Sequence, residues 1–179
     1  MELLEIEEIL FDQETIEKKV AELATRIAHD YVGKDLILIS ILKGAITFTA
    51  DLMRRIPYPI TLDFVRASSY GMGSERLREI RITKDIEMDI KGRHVLLVDC
   101  IIDSGETMDC LLKRYEERNP ASLNAVVLLD KRSRRIVDVP LAYRGFEIPD
   151  KFVVGYGIDC AEQYRNLPYI AALRHAPGQ

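Results

Sequence analysis

The densest chemistry in this 179-residue chain lies in one stretch, Val-Leu-Leu-Val-Asp-Cys-Ile-Ile-Asp-Ser-Gly-Glu-Thr-Met over 95–108. Two carboxylates, Asp99 and Asp103, stand four residues apart, and Ser104, Gly105, Glu106 and Thr107 follow at what reads as a helix start. Gly105 permits a tight turn, the unpaired N–H groups of a helix start face an anion, and the Ser104 and Thr107 hydroxyls add donors. That set suits a phosphate. The chain lacks the Gly-x-x-x-x-Gly-Lys of a nucleoside-triphosphate loop and also lacks Gly-x-Gly-x-x-Gly. The group bound is then a monoester phosphate, carried on something whose hydroxyls Asp99 can accept from. A plainer alternative is an ordinary turn, with Ser104 capping the helix and Asp99 as a polar strand end.

These residues need elements to hold them. After Asp12, a candidate cap, Ile16, Val20, Leu23, Ala24, Ile27 and Tyr31 recur at spacings of three and four, so one helix face is apolar. Residues 36–42 (LILISIL) form a short, nearly uninterrupted apolar run, the pattern of a strand buried on both faces of a parallel sheet. Lys43-Gly44 closes it. A second amphipathic helix spans 45–55 and stops before Pro57, and 60–65 reads as a strand. Residues 68–84 carry two glycines and many polar residues without a clear period, which predicts a long loop or a loose hairpin. Residues 94–98 are a third buried strand. Met108, Leu111, Leu112 and Tyr115 then mark a helix that ends near Asn119-Pro120, and 123–129 and 152–156 add two strands. Alternating strands and helices predict an α/β fold with a mostly parallel sheet, in one domain over 1–179. In such sheets ligands gather beyond the carboxyl ends of the strands, where Lys43, residues 99–107, Lys131 and Asp159 would meet.

Composition narrows the class. A 47% hydrophobic content supports a continuous core, and a net charge of −4 argues against a general nucleic-acid coat. Cys100, Cys110 and Cys160 are widely spread, without metal-type pair spacing, and suit free thiols. The acidic start and the lack of an apolar run of about 18 residues lead to the expectation of a soluble, cytoplasmic protein with no membrane partner. His29, His94 and His175 have no nucleophile or carboxylate pattern around them and receive no catalytic role. Residues 131–135 (KRSRR) read on their own as a solvated basic face, Phe152 as core, and Asp159 as the cap of a following helix.

The run Ile-Ile-Asp-Ser-Gly-x-Thr behind an apolar strand resembles the phosphoribosyl-pyrophosphate motif of type I phosphoribosyltransferases, in its hypoxanthine (or hypoxanthine-guanine) form. The resemblance covers nearly the whole chain. It implies the fold of that family, a central sheet flanked by helices with a small hood made from terminal segments. Leu42-Lys43-Gly44 resembles the family's pyrophosphate-contacting loop with its strained peptide bond, and Ser69-Tyr70-Gly71 its mobile active-site loop. Leu129-Asp130-Lys131-Arg132 is similar to the purine-reading loop, and 149–159 (PDKFVVGYGID) is the most specific match after the central motif.

By this likeness Asp103 takes the purine proton, and residues 103–107 hold the phosphate, Glu106 included. Asp99 and Cys100 face the ribose. Lys43, Gly44, Ser69, Tyr70 and Arg165 contact pyrophosphate. Ile101, Lys131, Phe152, Val153 and Asp159 surround the purine, and Asp99 and Asp159 help place Mg2+. The implied activity is transfer of the phosphoribosyl group of 5-phosphoribosyl 1-pyrophosphate to hypoxanthine, with guanine as a further base, in a homodimer or homotetramer. One position departs from the pattern. The family carries two adjacent acids where this chain has Asp99-Cys100, and a neutral thiol is a weak acceptor. Three readings stay open: a tolerated change, a weakly active or inactive paralogue that binds nucleotide as a regulator, and a redox-regulated site that includes Cys160.

Overall fold

The computed structural model describes residues 5–70 and 79–174. Strand β2 (Leu36–Ile41) is buried at every position, and its alternation divides the core in two. Leu36 and Leu38 point to one face with Leu96, Val98 and Cys100, while Ile37, Ile39 and Ile41 point to the other with Val95 and Leu97. Both faces must therefore be covered. Helix α1 (Gln13–Asp30) and helix α2 (Ile46–Met53) cover the first, through Ile16, Val20, Leu23, Ala24, Ile27, Phe48 and Leu52. Helix α3 (Glu106–Glu116) covers the second with Met108, Leu111 and Tyr115. Asp12 caps α1 as expected, its side chain accepting from the Thr15 N–H at 2.8 Å.

With β3 (Thr61–Tyr70), β4 (Glu79–Lys84), β5 (His94–Ile102), β6 (Ser122–Asp130) and β7 (Tyr143–Glu147), the main sheet has the order β4-β3-β2-β5-β6-β7. All neighbours are parallel except β3 and β4. The chain moves outward on one side of β2 to β3 and β4, then returns to β5 on the other side, so the order reverses between β2 and β5. A crevice opens beyond their carboxyl ends at such a reversal. A second, antiparallel sheet joins β1 (Ile6–Phe11), β9 (Ile170–Leu173) and β8 (Val153–Val154), and this is the expected hood of terminal segments. Phe11 stacks on Phe146 with ring centroids 4.1 Å apart and so fastens the hood to the edge of the main sheet.

Several expectations change. The segment 68–84 is a hairpin where it is described, because β3 runs to Tyr70 and pairs with Glu79–Lys84; its tip lies outside the described residues. The strand over 152–156 shortens to Val153–Val154, since Gly155 and Tyr156 have positive φ and leave the ladder. Strands β1, β7 and β9 had no expectation at all. Glu7 and Glu8 interrupt the apolar alternation of β1, and β7 and β9 hold only five and four residues.

Candidate active site

Three segments leave the carboxyl ends of adjacent strands and converge. After β2, the Leu42–Lys43 peptide is cis, and the chain turns so that Ala45 N–H donates to Ile41 O and Ile46 N–H to Lys43 O. After β5, Gly105 takes φ 87°, a left-handed value that suits glycine, and a side chain there would meet the Val137 carbonyl. Asp103, Ser104, Gly105, Glu106 and Thr107 thus form a bend whose end is the start of α3, where the first N–H groups have no helical partners. The Ser104 hydroxyl donates to Glu106 Oε2 at 2.9 Å, and Ile136 and Val137 N–H both donate to Ser104 O. The residue at the cap position is Gly105, without a side-chain cap bond, and Ser104, one residue earlier, accepts the Glu106 N–H at 3.4 Å through its hydroxyl.

After β6, Lys131 is nearly buried, with its side chain 7% exposed, and its Nζ lies 3.3 Å from Asp103 Oδ1. Its N–H donates to Ile102 O, which ties the third segment to the second. The basic run is therefore not simply a solvated face. Arg135 reaches inward as well, donating to the Asp103 carbonyl at 3.1 Å and pairing with the buried Asp130, which also holds Arg144 at 3.1 Å. Arg134 does face outward, paired with Asp150.

Asp99 is a half-buried residue whose carboxyl accepts from Cys100 N–H at 2.7 Å. Crowding around the carboxyl pushes its pKa up to about 7, against the pull of the Cys100 and Ile101 N–H groups and with a further push from the Asp103 charge. Cys100 requires a correction. It is fully buried in the core cluster between the sheet and α1 and α2, with its Sγ 3.7 Å from Tyr156 O, so its thiol offers nothing to a ribose. Burial, and then the neighbouring Asp99, push its pKa well above the ordinary thiol value, which removes the support for a redox-regulated site. Cys160 is also buried, beside Val154 and Leu173. Ile101, next in the strand, is half-buried against the same core as Cys100.

The hood brings the remaining residues. Gly157 has φ 98°, and a Cβ there would fall on the Gly44 carbonyl, so the hood segment rests directly on the Lys43-Gly44 turn. Arg165 follows, donating to Gly157 O at 2.8 Å and pairing with Asp159 Oδ1 at 2.7 Å. No helix follows Asp159 among the described residues; its other oxygen accepts the Glu162 N–H at 2.9 Å inside a turn in which Ala161, Glu162 and Tyr164 have positive φ. Glu162, which no sequence signal singled out, pairs with Lys43 at 2.6 Å and with Arg165 at 3.4 Å. Phe152 is 38% exposed and so is not core. Leu173 N–H donates to Phe152 O, so in the antiparallel pattern the intervening Val153 directs its own N–H and C=O away from β9, at the free edge of the hood. Ser69 and Tyr70 lie at the end of β3, opposite Ile80 and Glu79.

No cluster of three or more His, Cys, Asp or Glu that could hold a metal ion occurs among the described residues. Magnesium takes one or two carboxylates together with substrate oxygens; Asp99 and Asp159 are each accessible in part, and Asp159 is held by Arg165 and the Glu162 N–H. No helix among the described residues is long and apolar enough to cross a membrane.

Comparison with known proteins matches residues 7–161 to the phosphoribosyl transferase domain family. The hypoxanthine phosphoribosyltransferase of Salmonella typhimurium is 46% identical over 165 residues, covering 91% of this chain and 93% of that protein. The hypoxanthine-guanine phosphoribosyltransferase of Bacillus subtilis is 43% identical over 172 residues, covering 96% of each. The crystal structure of a hypoxanthine-guanine phosphoribosyltransferase from Bacillus anthracis superposes with a TM-score of 0.88 at 45% identity, over 95% of this chain and 99% of that one.

Proposed function

The chain belongs to the phosphoribosyltransferase family, and from that premise we propose that it is a purine-salvage enzyme that transfers the phosphoribosyl group of 5-phosphoribosyl 1-pyrophosphate to hypoxanthine, releasing pyrophosphate. The observation that carries the reading is the Lys131–Asp103 pair. It sets a donor and a carboxylate side by side, which matches the O6 acceptor and the neighbouring N7–H of a 6-oxopurine. A 6-amino group would bring a second donor against Lys131. The regulator reading draws no support, since the relatives are named as transferases over nearly their whole length.

In this reading Ser104 to Thr107 and the start of α3 hold the 5′-phosphate, and Asp99 accepts from the ribose hydroxyls. Phe152 offers its exposed ring to the base, Val153 its free backbone groups, and Ile101 the apolar floor. The purine N9 lone pair forms the bond to C1 of the ribose while the C1–O bond to pyrophosphate breaks. The N7 proton passes to Asp103, a carboxylate half exposed at the mouth of the site. Gly44, Ser69, Tyr70, Lys43 and Arg165 surround the leaving group, where cations offset its charge. Asp99 and Asp159 would be the residues to hold a magnesium ion, which would supply further neutralisation of the pyrophosphate oxygens. A homodimeric or homotetrameric assembly, a cytoplasmic location and a single domain belong to the same reading.

The test is magnesium-dependent turnover with hypoxanthine, guanine, xanthine and adenine side by side. Hypoxanthine is expected to react and adenine to fail; equal use of adenine would overturn the donor–acceptor argument. Asp103→Asn should keep binding of the ribose phosphate and lose about 100-fold or more in kcat, in the range of general-base loss. Near-normal turnover would remove Asp103 from its role.

A further inference from the structure

Lys43 and Arg165 arrive from opposite parts of the fold, one from the turn after β2 and one from the hood, and two like charges should repel in an empty site. A carboxylate stands between them. Glu162 Oε2 lies 2.6 Å from Lys43 Nζ and 3.4 Å from Arg165, and the two cations lower the Glu162 pKa, chiefly through the Lys43 hydrogen bond. The turn that brings Glu162 there is itself unusual. Ala161, Glu162 and Tyr164 have φ of 50°, 65° and 72°, values that cost non-glycine residues energy and persist where surrounding contacts impose them. The Glu162 N–H is fixed by Asp159 Oδ2, and Cys160 and Gln163 exchange backbone hydrogen bonds.

A second observation points to an anion as ligand. Arg165 Nε is the buried side-chain polar atom without a hydrogen-bond partner among the described residues, so the guanidinium keeps an unspent donor. Arg165 also lines an open cleft of about 290 Å³ with Thr47, Asp51 and Tyr156. The present arrangement satisfies Arg165 incompletely.

We propose that Glu162 is a resident substitute for the pyrophosphate group: in the empty site its carboxylate bridges Lys43 and Arg165, and the incoming diphosphate displaces it. The inference rests on the reading of Arg165 and the Lys43 turn as the pyrophosphate site. Glu162 thereby keeps the cations together before substrate arrives and weakens diphosphate binding by having to be displaced. A carboxylate is a good temporary occupant for such a site. It carries one charge against the two of fully ionised magnesium pyrophosphate, and it is 63% exposed, so it can swing into solvent.

The experiment is calorimetric binding of magnesium pyrophosphate to the whole chain, compared with Glu162→Gln. Loss of the competing charge at an exposed pair should tighten binding by about two- to five-fold and lower the KM for 5-phosphoribosyl 1-pyrophosphate by a similar factor. Glu162→Ala must shift in the same direction, which guards against a carboxamide that still holds Lys43. Unchanged or weaker binding in both variants overturns the proposal. Arg165→Gln separates the two levels. If it weakens pyrophosphate while the Glu162 variants give no gain, only the substitute role fails; if it has no effect either, the placement of the pyrophosphate site fails with it.

Discussion

At the residue scale, one side chain departs from the family pattern, and its burial explains how the chain accommodates it. Cys100 continues β5 into the core instead of facing the crevice, so it takes the part of a small apolar residue with a weak contact to a carbonyl. In the proposed function the ribose hydroxyls are then left to Asp99. Among the three thiols, Cys100 and Cys160 are buried and Cys110 alone is partly exposed. A thiol reagent should therefore label one equivalent rapidly in the native protein and all three after unfolding, as absorbance titration would show. Rapid native labelling of Cys100, located by peptide mapping, would contradict its burial. Sequence alone left this open, because a residue at the end of a strand has no fixed face until the strand is placed between its neighbours.

At the element scale, the link between β4 and β5 is pinned to α3 by one carboxylate. Asp85 accepts from Arg114, Arg118, Tyr115 OH at 3.0 Å and the Ile86 N–H at 2.9 Å. Burial works to raise its pKa, but the hydrogen bonds from Arg114, Ile86, Tyr115 and Arg118 outweigh it and bring it down to about 2. A carboxylate whose folded pKa lies below its unfolded value stabilises the fold above the unfolded pKa and loses that effect as pH falls through the folded one. The window here runs from about pH 4 down to about pH 2. Asp85→Asn should cost on the order of 2 kcal/mol at pH 7, an upper figure since Asp85 is partly exposed and Arg114 more so. The gap to the parent protein should close across that window in urea titrations; a gap independent of pH would mean that packing, not charge, holds the link. The helices themselves were legible. Asp12 and the α1 stripe followed from spacing, whereas β7 and β9 are short and draw their stability from neighbours the sequence does not name.

At the scale of the whole molecule, the site exists because two sheets meet. The main sheet supplies the 103–107 bend and Lys131 at the carboxyl ends of β5 and β6, and the hood supplies Phe152, Asp159 and Arg165. Their contact at Gly157 and Gly44 is close enough to exclude a Cβ. Gly157→Ala should therefore push the hood away from the Lys43 turn. Its φ of 98° also disfavours alanine, so a stability loss of about 1–2 kcal/mol is expected. The informative measurement is the KM for 5-phosphoribosyl 1-pyrophosphate, which should rise several-fold more than the KM for the base. An equal rise in both would mean that the contact serves stability without aligning the pyrophosphate side.

Local order in the chain determined a good part of this. Apolar period gave the buried strands and helices, and the Asp-Ser-Gly-Glu-Thr run gave a bend into a helix start, because both depend on neighbours within a few residues. Folding decided the rest. By spacing alone Lys131 was one charge in a basic run and Phe152 was core, and only the resemblance singled them out; folding carried Lys131 next to Asp103 and left Phe152 at an edge. Glu162 gave no signal, since its partners lie 119 residues back at Lys43 and three ahead at Arg165. The bend over 103–107 was readable because its geometry is local; the pairing of Lys131 with Asp103 and of Glu162 with Lys43 needed long-range contacts that only the packed sheets create.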